Sequence, residues 1–470
     1  MTLPAIIQGG MGVGVSGWRL ARAVARTGQL GVVSGVALDT LMARRLQRGD
    51  PGGHLRRALA SFPDPALAER ILTRYFVDGG IPEGQPYRPT LHIGLSPRRQ
   101  ADELAVAANF AEVFLAKEGH DGLVGVNYLE KIQLATPAAL YGAMLAGVDA
   151  VLMGAGLPTE IPRLMTALAA HQRVEIPVAV AGAVAGERHT VGIDPPTLLG
   201  RLPGTLARPR LLPIVSSATL VEYLNRDPAT RPDGFVLETA VAGGHSARPR
   251  GRMRLDDDGE PVYGPRDDLD LARVRAVGLP FWLAGGYGTP AGLAAARAAG
   301  AAGIQVGTAF ALCRESGLEP GLRGRLLQAA VDRTLRVRNH PAASPTGFPF
   351  KVAELAGTTS EDEVHGARPR LCDLGYLRTP YRKPDARIGY RCPAEPVDSF
   401  TRKGGDPADA SAARCLCNGL TASIGLGQHR ADGYAEPPLL TLGQDLTALP
   451  DLAADGDYTA AQVVAYLLKS

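Results

Sequence analysis

The chain has 470 residues, 45% of them hydrophobic and 21% charged, a balance that excludes wholesale disorder and supports a large core. A formal net charge of +3, with Arg exceeding Lys and no long basic block, makes nucleic acid a poor expectation as partner. No apolar run reaches membrane-spanning length, the first twenty or so residues lack a charged segment ahead of their apolar stretch, and five Cys are too few for a secreted disulfide scaffold, so no membrane role and a reducing cytoplasm are expected.

Short β-branched segments alternate with alanine-rich helical stretches from the start to about residue 335. Residues 5–8 read as a strand and 18–26 as a helix; 31–34 read as a strand, followed by a long helical region through Arg74. Further strands are expected at 124–127, 150–153, 212–216, 234–237, 281–284 and 303–306. Continuous apolar runs of this kind suit strands buried on both faces, and eight of them with intervening helices predict an α/β fold, a (β/α)8 TIM barrel, over residues 1–335. Two surplus segments, 177–181 and 189–193, flank Ala185-Gly186-Glu187 and read as an inserted hairpin within about 174–193; residues 91–94 stay unassigned. From about residue 336 Pro, Gly, Arg and Cys dominate, and 460–468 is the one regular helix expected. Residues 336–470 therefore read as a loop-rich cap that needs an external staple or a docking surface.

A barrel of this type carries its site at the C-terminal ends of the strands. Those positions hold Gly9-Gly10-Met11-Gly12-Val13-Gly14, then Asn127 and Lys131, Gly154-Ala155-Gly156, Ala242-Gly243-Gly244-His245, Gly285-Gly286 and Gly307-Thr308. Glycine there lets the backbone approach a flat or anionic ligand. Gly285-Gly286 and Gly307-Thr308, each ahead of a helix, form a candidate anion cradle after consecutive strands; tight turns alone are the competing reading. His245 is the candidate catalytic residue, since an imidazole titrates near neutrality and passes a proton or donates to a developing anion; a surface-loop histidine is the competing reading. Met11, among glycines, reads either as a side chain against a flat ring or as core packing. Lys131 reads either as a point charge for a cofactor or substrate carbonyl or as a solvated lysine.

The segments IIQGGMGVGVS, GVDAVLMGAG, AGGHSA and FWLAGGYGTPAGLAAARAAGAAGIQVGTAFAL resemble the nitronate monooxygenase (2-nitropropane dioxygenase) family, a pattern shared with FMN-dependent enoyl reductases of fatty-acid and polyunsaturated-fatty-acid synthesis. The resemblance covers about residues 4–315. It implies an FMN-dependent barrel oxidoreductase in which Gly285, Gly286, Gly307 and Thr308 hold the FMN phosphate. Gly10, Met11 and Gly12 would lie beneath the isoalloxazine, Asn127 would bond its polar edge, Lys131 would add a charge, and His245 would be the catalytic histidine. Val241 stands where the family often has an acidic residue, and the extension beyond 336 is absent from its compact members, so the layout is closer to the longer enoyl-reductase-like branch.

Cys372, Cys392, Cys415 and Cys417 crowd into the last quarter, where a C-x-C pair and two further thiols would close a zinc or iron–sulfur site; unligated thiols are the competing reading. Neighbouring arginines are expected to favour thiolates there. Cys313 reads as a small apolar helix residue. The leading functional expectation is oxidation of a nitronate or similar activated carbon acid, with O2 as acceptor. The alternatives are reduction of an enoyl thioester by NAD(P)H and a flavin-bound scaffold subunit of a larger synthase. The expected partners are therefore a small-molecule or acyl-thioester substrate and, for the protein itself, a synthase or a second copy of the chain.

Overall fold

Residues 3–469 are described by the computed structural model. The apolar segments form β1 (Ile6–Gln8), β2 (Gly31–Ser34), β3 (Val124–Leu129), β4 (Ala150–Gly154), β5 (Arg210–Val215), β6 (Phe235–Glu238), β7 (Phe281–Ala284) and β8 (Gly303–Val306). All neighbours pair in parallel in the order β1-β8-β7-β6-β5-β4-β3-β2. A parallel bridge from Ile7 to Leu30, at the start of β2, closes the ring into a TIM barrel. Side chains alternate across each strand. Ile7, Val32, Leu152, Leu212, Val236 and Trp282 fill the inside as one cluster, while Ile6, Phe235, Leu283 and Ile304 pack outward under the helices. Trp282 Nε1 donates to Pro4 O at 2.8 Å and plugs the end opposite the strand C-termini.

The helical region expected through residue 74 resolves into Leu38–Gln47, His54–Ala60 and Pro65–Tyr75. Asp64 starts the last of these, accepting from Leu67 N at 3.0 Å ahead of a proline at the first helical position. The longest helix, Arg99–Lys117, was not singled out from the sequence, because it is buried on nearly every side and shows no clear amphipathic stripe. It packs against Thr136–Leu145 so closely that a Cβ on Gly142 would lie 2.1 Å from Val106 O. No described helix is long and apolar enough to cross a membrane.

Val174–Pro177 and Thr190–Ile193 pair antiparallel, so the first arm sits a few residues before the apolar run read from the sequence. Its alternation of buried Val174 and Ile176 with exposed Glu175 is the strand signal. Residues 91–94 are extended but outside any sheet; they lie against the cap, with His92 Nε2 2.8 Å from Asp373 O and Leu95 N donating to the Tyr390 hydroxyl at 2.7 Å.

Beyond residue 336 the chain has more regular structure than expected. Two hairpins form, β9 (Val337–His340) with β10 (Phe350–Ala353) and β11 (Thr379–Arg382) with β12 (Ile388–Arg391). Several short helices, among them Leu416–Ala422, precede the expected C-terminal helix at Ala460–Leu467. Each is too short to print a period on the sequence. The docking surface expected for the segment is the barrel itself. Leu416, Leu420 and Leu439 join one barrel core, and Leu442, Tyr458 and Val464 join the other. The Tyr458 hydroxyl donates to Ala309 O at 2.8 Å. Apolar burial does the docking.

Gly142→Ala should destabilise the protein by on the order of 1–3 kcal/mol, because the two helices must separate to admit the methyl group. Urea denaturation of the variant against the parent measures it, and an unchanged midpoint would refute the close approach.

Candidate functional site at the barrel mouth

All eight strands contribute C-terminal residues to one cavity of about 250 Å³, roofed by the cap. Gly10, Met11, Gly12, Asn127, His245, Gly285, Gly286, Gly307 and Thr308 all line it. Lys131 does not. Its ammonium is 3.1 Å from Glu130 Oε2 and lies over the Phe348 ring, outside the lining, so the expectation that it serves the site is corrected.

The glycines have a steric cause. A Cβ on Gly10 would lie 2.3 Å from Asn127 Cβ, so only glycine lets the loop after β1 meet the end of β3. Ser16 Oγ fixes that loop, accepting from Met11 N and donating to Gly9 O, both at 3.0 Å. Met11 is half-buried there, packed toward Gly307. Gly285 and Gly286 take φ of +81° and +78°, the left-handed region, and turn the chain from β7 toward helix Pro290–Ala298. Among the described residues, the amides of Gly286, Gly288, Gly307 and Thr308 donate to no protein acceptor. The element after β8 is a single turn, Thr308–Ala311, rather than the full helix expected, and the Thr308 hydroxyl already accepts from Gly443 N at 2.9 Å.

The same cavity also holds acceptors. Asn127 Oδ1 and Gln305 Oε1 line the same cavity, are buried, and have no hydrogen-bond partner among the described residues. Buried polar atoms are seldom left so, and a group that fills the cavity would be expected to satisfy them. Gln305 was not singled out from the sequence. Its signal was present: a lone amide inside the β-branched strand Gly303-Ile304-Gln305-Val306.

His245 is held by the cap. Its Nε2 is 2.7 Å from Ser344 Oγ, and its ring meets Phe350 edge-on with centroids 4.9 Å apart. Lys351 N donates to Gly244 O and Ser246 N to Pro349 O, both at 2.9 Å, which sets the histidine loop on the edge of β10. Burial lowers the imidazole to about 4, so it is neutral at pH 7 and does not titrate near neutrality as expected. The buried Lys351 Nζ donates to Ala240 O and Ser246 Oγ, each at 2.6 Å, and is lowered to about 8 by burial. Glu238, at the end of β6, is raised to about 7 by burial against the pull of Lys351. Lys351 also escaped the sequence reading, although a lysine within Phe350-Lys351-Val352-Ala353 breaks an apolar run.

Cys372, Cys392, Cys415 and Cys417 line a second, smaller cavity in the cap. Among the described residues no group of three or more His, Cys, Asp or Glu is arranged to hold a metal ion. The expected thiolates are corrected. Burial raises all four thiols and outweighs the arginines nearby. Cys313 is buried just past the turn Thr308–Ala311.

Residues 205–343, which include β5 to β8, the histidine loop and the unpartnered amides, match the family model for nitronate monooxygenase. A nitronate monooxygenase of Paraburkholderia phytofirmans is 35% identical over 123 residues, 26% of this chain and 31% of that protein. A (3aS,4S,5R,7aS)-5-hydroxy-7a-methyl-1-oxo-octahydro-1H-indene-4-carboxyl-CoA dehydrogenase of Mycobacterium tuberculosis is 28% identical over 122 residues, 26% of this chain and 31% of that one. The chain thus spans about a third of the length of the curated relatives it matches. FabK from Thermotoga maritima superposes over 99% of this chain and 92% of that one, with a TM-score of 0.48 and 18% identity. The likeness to the nitronate monooxygenase family is thus carried by residues 205–343.

Proposed function

We propose that the chain is a flavin-dependent oxidoreductase, with FMN seated in the barrel-mouth cavity of residues 1–335 and residues 336–470 acting as its cap. The observation that carries the reading is the pairing of four unpartnered amides with two unpartnered acceptors inside one cavity. The amides of Gly286, Gly288, Gly307 and Thr308 suit a phosphate, which accepts hydrogen bonds and favours such backbone nests. Asn127 Oδ1 and Gln305 Oε1 suit the N–H edge of a flavin ring, and Gly10, Met11 and Gly12 offer a side against which a flat ring can lie. A bound flavin supplies two-electron exchange with a carbon centre.

His245 then works as a neutral hydrogen-bonding group. With the Ser344 hydroxyl donating to Nε2, Nδ1 would carry the proton, and a neutral imidazole N–H can stabilise a negative oxygen by hydrogen bonding. A nitronate oxygen and the enolate oxygen of a thioester are both such anions. Oxidation of a nitronate or similar carbon acid with O2 is the leading reading, in keeping with the family match. Reduction of an enoyl thioester by NAD(P)H is the second. It is favoured by the cap, whose Leu416, Leu420, Leu442 and Leu449 give the cavity a longer apolar wall than a small nitronate needs.

Heat release of the cofactor followed by mass measurement should return FMN, and FAD or no flavin after reconstitution would end the proposal. Gly286→Asp should abolish binding, because the carboxylate would face the phosphate and the left-handed φ of +78° strains any side chain placed there. Oxygen uptake with an alkyl nitronate, set against NADPH oxidation with a short 2-enoyl thioester, decides between the substrates.

His245→Ala should keep the flavin and lower turnover about 10²–10⁴-fold, the usual share of a positioned acid, base or donor. Full activity in that variant would remove His245 from the chemistry. Stability gives an independent check. From pH 6.5 down to about 4 the unfolded chain binds a proton at His245 that the folded chain refuses, so this residue's contribution is lost as pH falls through that window. His245→Gln should therefore lose less stability than the parent over the same range, and parallel pH curves would contradict the burial argument.

A further inference from the structure

We propose that Cys372, Cys392, Cys415 and Cys417 are the ligands of an iron–sulfur cluster held in the cap beside the barrel mouth. The inference rests on the cysteine geometry and is independent of the flavin reading. The chain has five cysteines in 470 residues, and four of them line one small cavity. They reach it from three separate places: the loop before β11, the residue after β12, and the start of helix Leu416–Ala422. Chance does not readily gather the rare residue of a sequence from three stretches onto one wall.

One zinc ion draws four sulfurs to about 2.3 Å from a single point, and among the described residues no three such side chains are so gathered. A cluster binds each thiolate through a different iron or shares them between two, so its four sulfurs stand further apart around a common centre. Cys392 packs against Cys415 in one apolar cluster, and Cys372 and Cys417 line the same cavity.

The surroundings suit a negatively charged cluster. Arg378 lines the cavity and makes no ion pair among the described residues, while Glu395 on the same wall is paired with Lys403, so one uncompensated guanidinium stands beside the thiols. Pro345, Leu377, Ala394 and Leu416 supply an apolar rim. Leu377, Leu416 and Cys417 line both this cavity and the barrel-mouth cavity, so the cluster would sit one side chain away from the proposed flavin.

The full chain, purified without oxygen and reconstituted with ferrous iron and sulfide, provides the test. Iron and acid-labile sulfide should appear in equal amounts, about two or about four of each per chain. Dithionite reduction of flavin-free protein should then give the electron paramagnetic resonance signal of a reduced cluster. Cys392→Ala and Cys415→Ser should each lose iron and sulfide together, while Cys313→Ala keeps both. The parent protein decides even where a variant fails to fold: sulfide no higher than in a buffer blank, one zinc per chain with no iron, or a disulfide between any two of the four overturns the proposal. Flavin content is measured separately, so failure of the cluster leaves the cofactor reading to stand or fall on its own data.

Discussion

Two hydrogen bonds from one buried ammonium, Lys351 Nζ to Ala240 O and to Ser246 Oγ, hold the loop on which His245 rides. Lys351 has no exposed surface, and a buried charge is tolerated only where it is well partnered. The ammonium therefore dictates what surrounds it: a carbonyl from the end of β6, a hydroxyl beside the histidine, and the carboxyl of Glu238 within electrostatic reach. Because the lysine belongs to β10, the cap and the barrel mouth cannot move apart without stranding the charge. The position of His245 is thus a property of both halves of the chain.

The same burial sets the protonation of the site. Glu238 at about 7, Lys351 at about 8 and His245 at about 4 are all displaced toward their neutral forms. Desolvation is the largest cause in each case, and the attraction between Glu238 and Lys351 is what keeps either from being displaced further. A neutral imidazole in such a cavity holds its hydrogen-bond geometry across the physiological range. A solvent-exposed loop histidine would not.

Cap and barrel also meet through a second polar seam under the apolar contact. Tyr376 lines the cavity and donates from its hydroxyl to buried Asp39, in the helix after β2. Arg44 of the same helix donates to Leu426 O, and the wholly buried pair of Arg368 and Glu436 ties the cap to itself behind them. Such pairs add little net stability over apolar packing, but each has one partner and one geometry. They define where the leucines of the cap come to rest over the barrel mouth.

The barrel was legible in the sequence because its strands are buried on both faces. That demands short runs that are mostly apolar, and β2, β7 and β8 fall on the residues so read. The glycines at the strand ends were legible for a related reason, since a missing Cβ is a property of the residue itself. What the sequence could not show is burial that depends on a distant segment. The neutral state of His245 comes from Ser344 and Phe350, about a hundred positions away, and the ion pair that withdraws Lys131 from the site comes from how its neighbour Glu130 is turned. Gln305 and Lys351 looked like interruptions of apolar strands until the cavity and the loop they serve were in view. The cap was legible only in outline for the same reason: its elements are too short to show a period, and its leucines find their core on the barrel surface, which is the docking surface its composition called for.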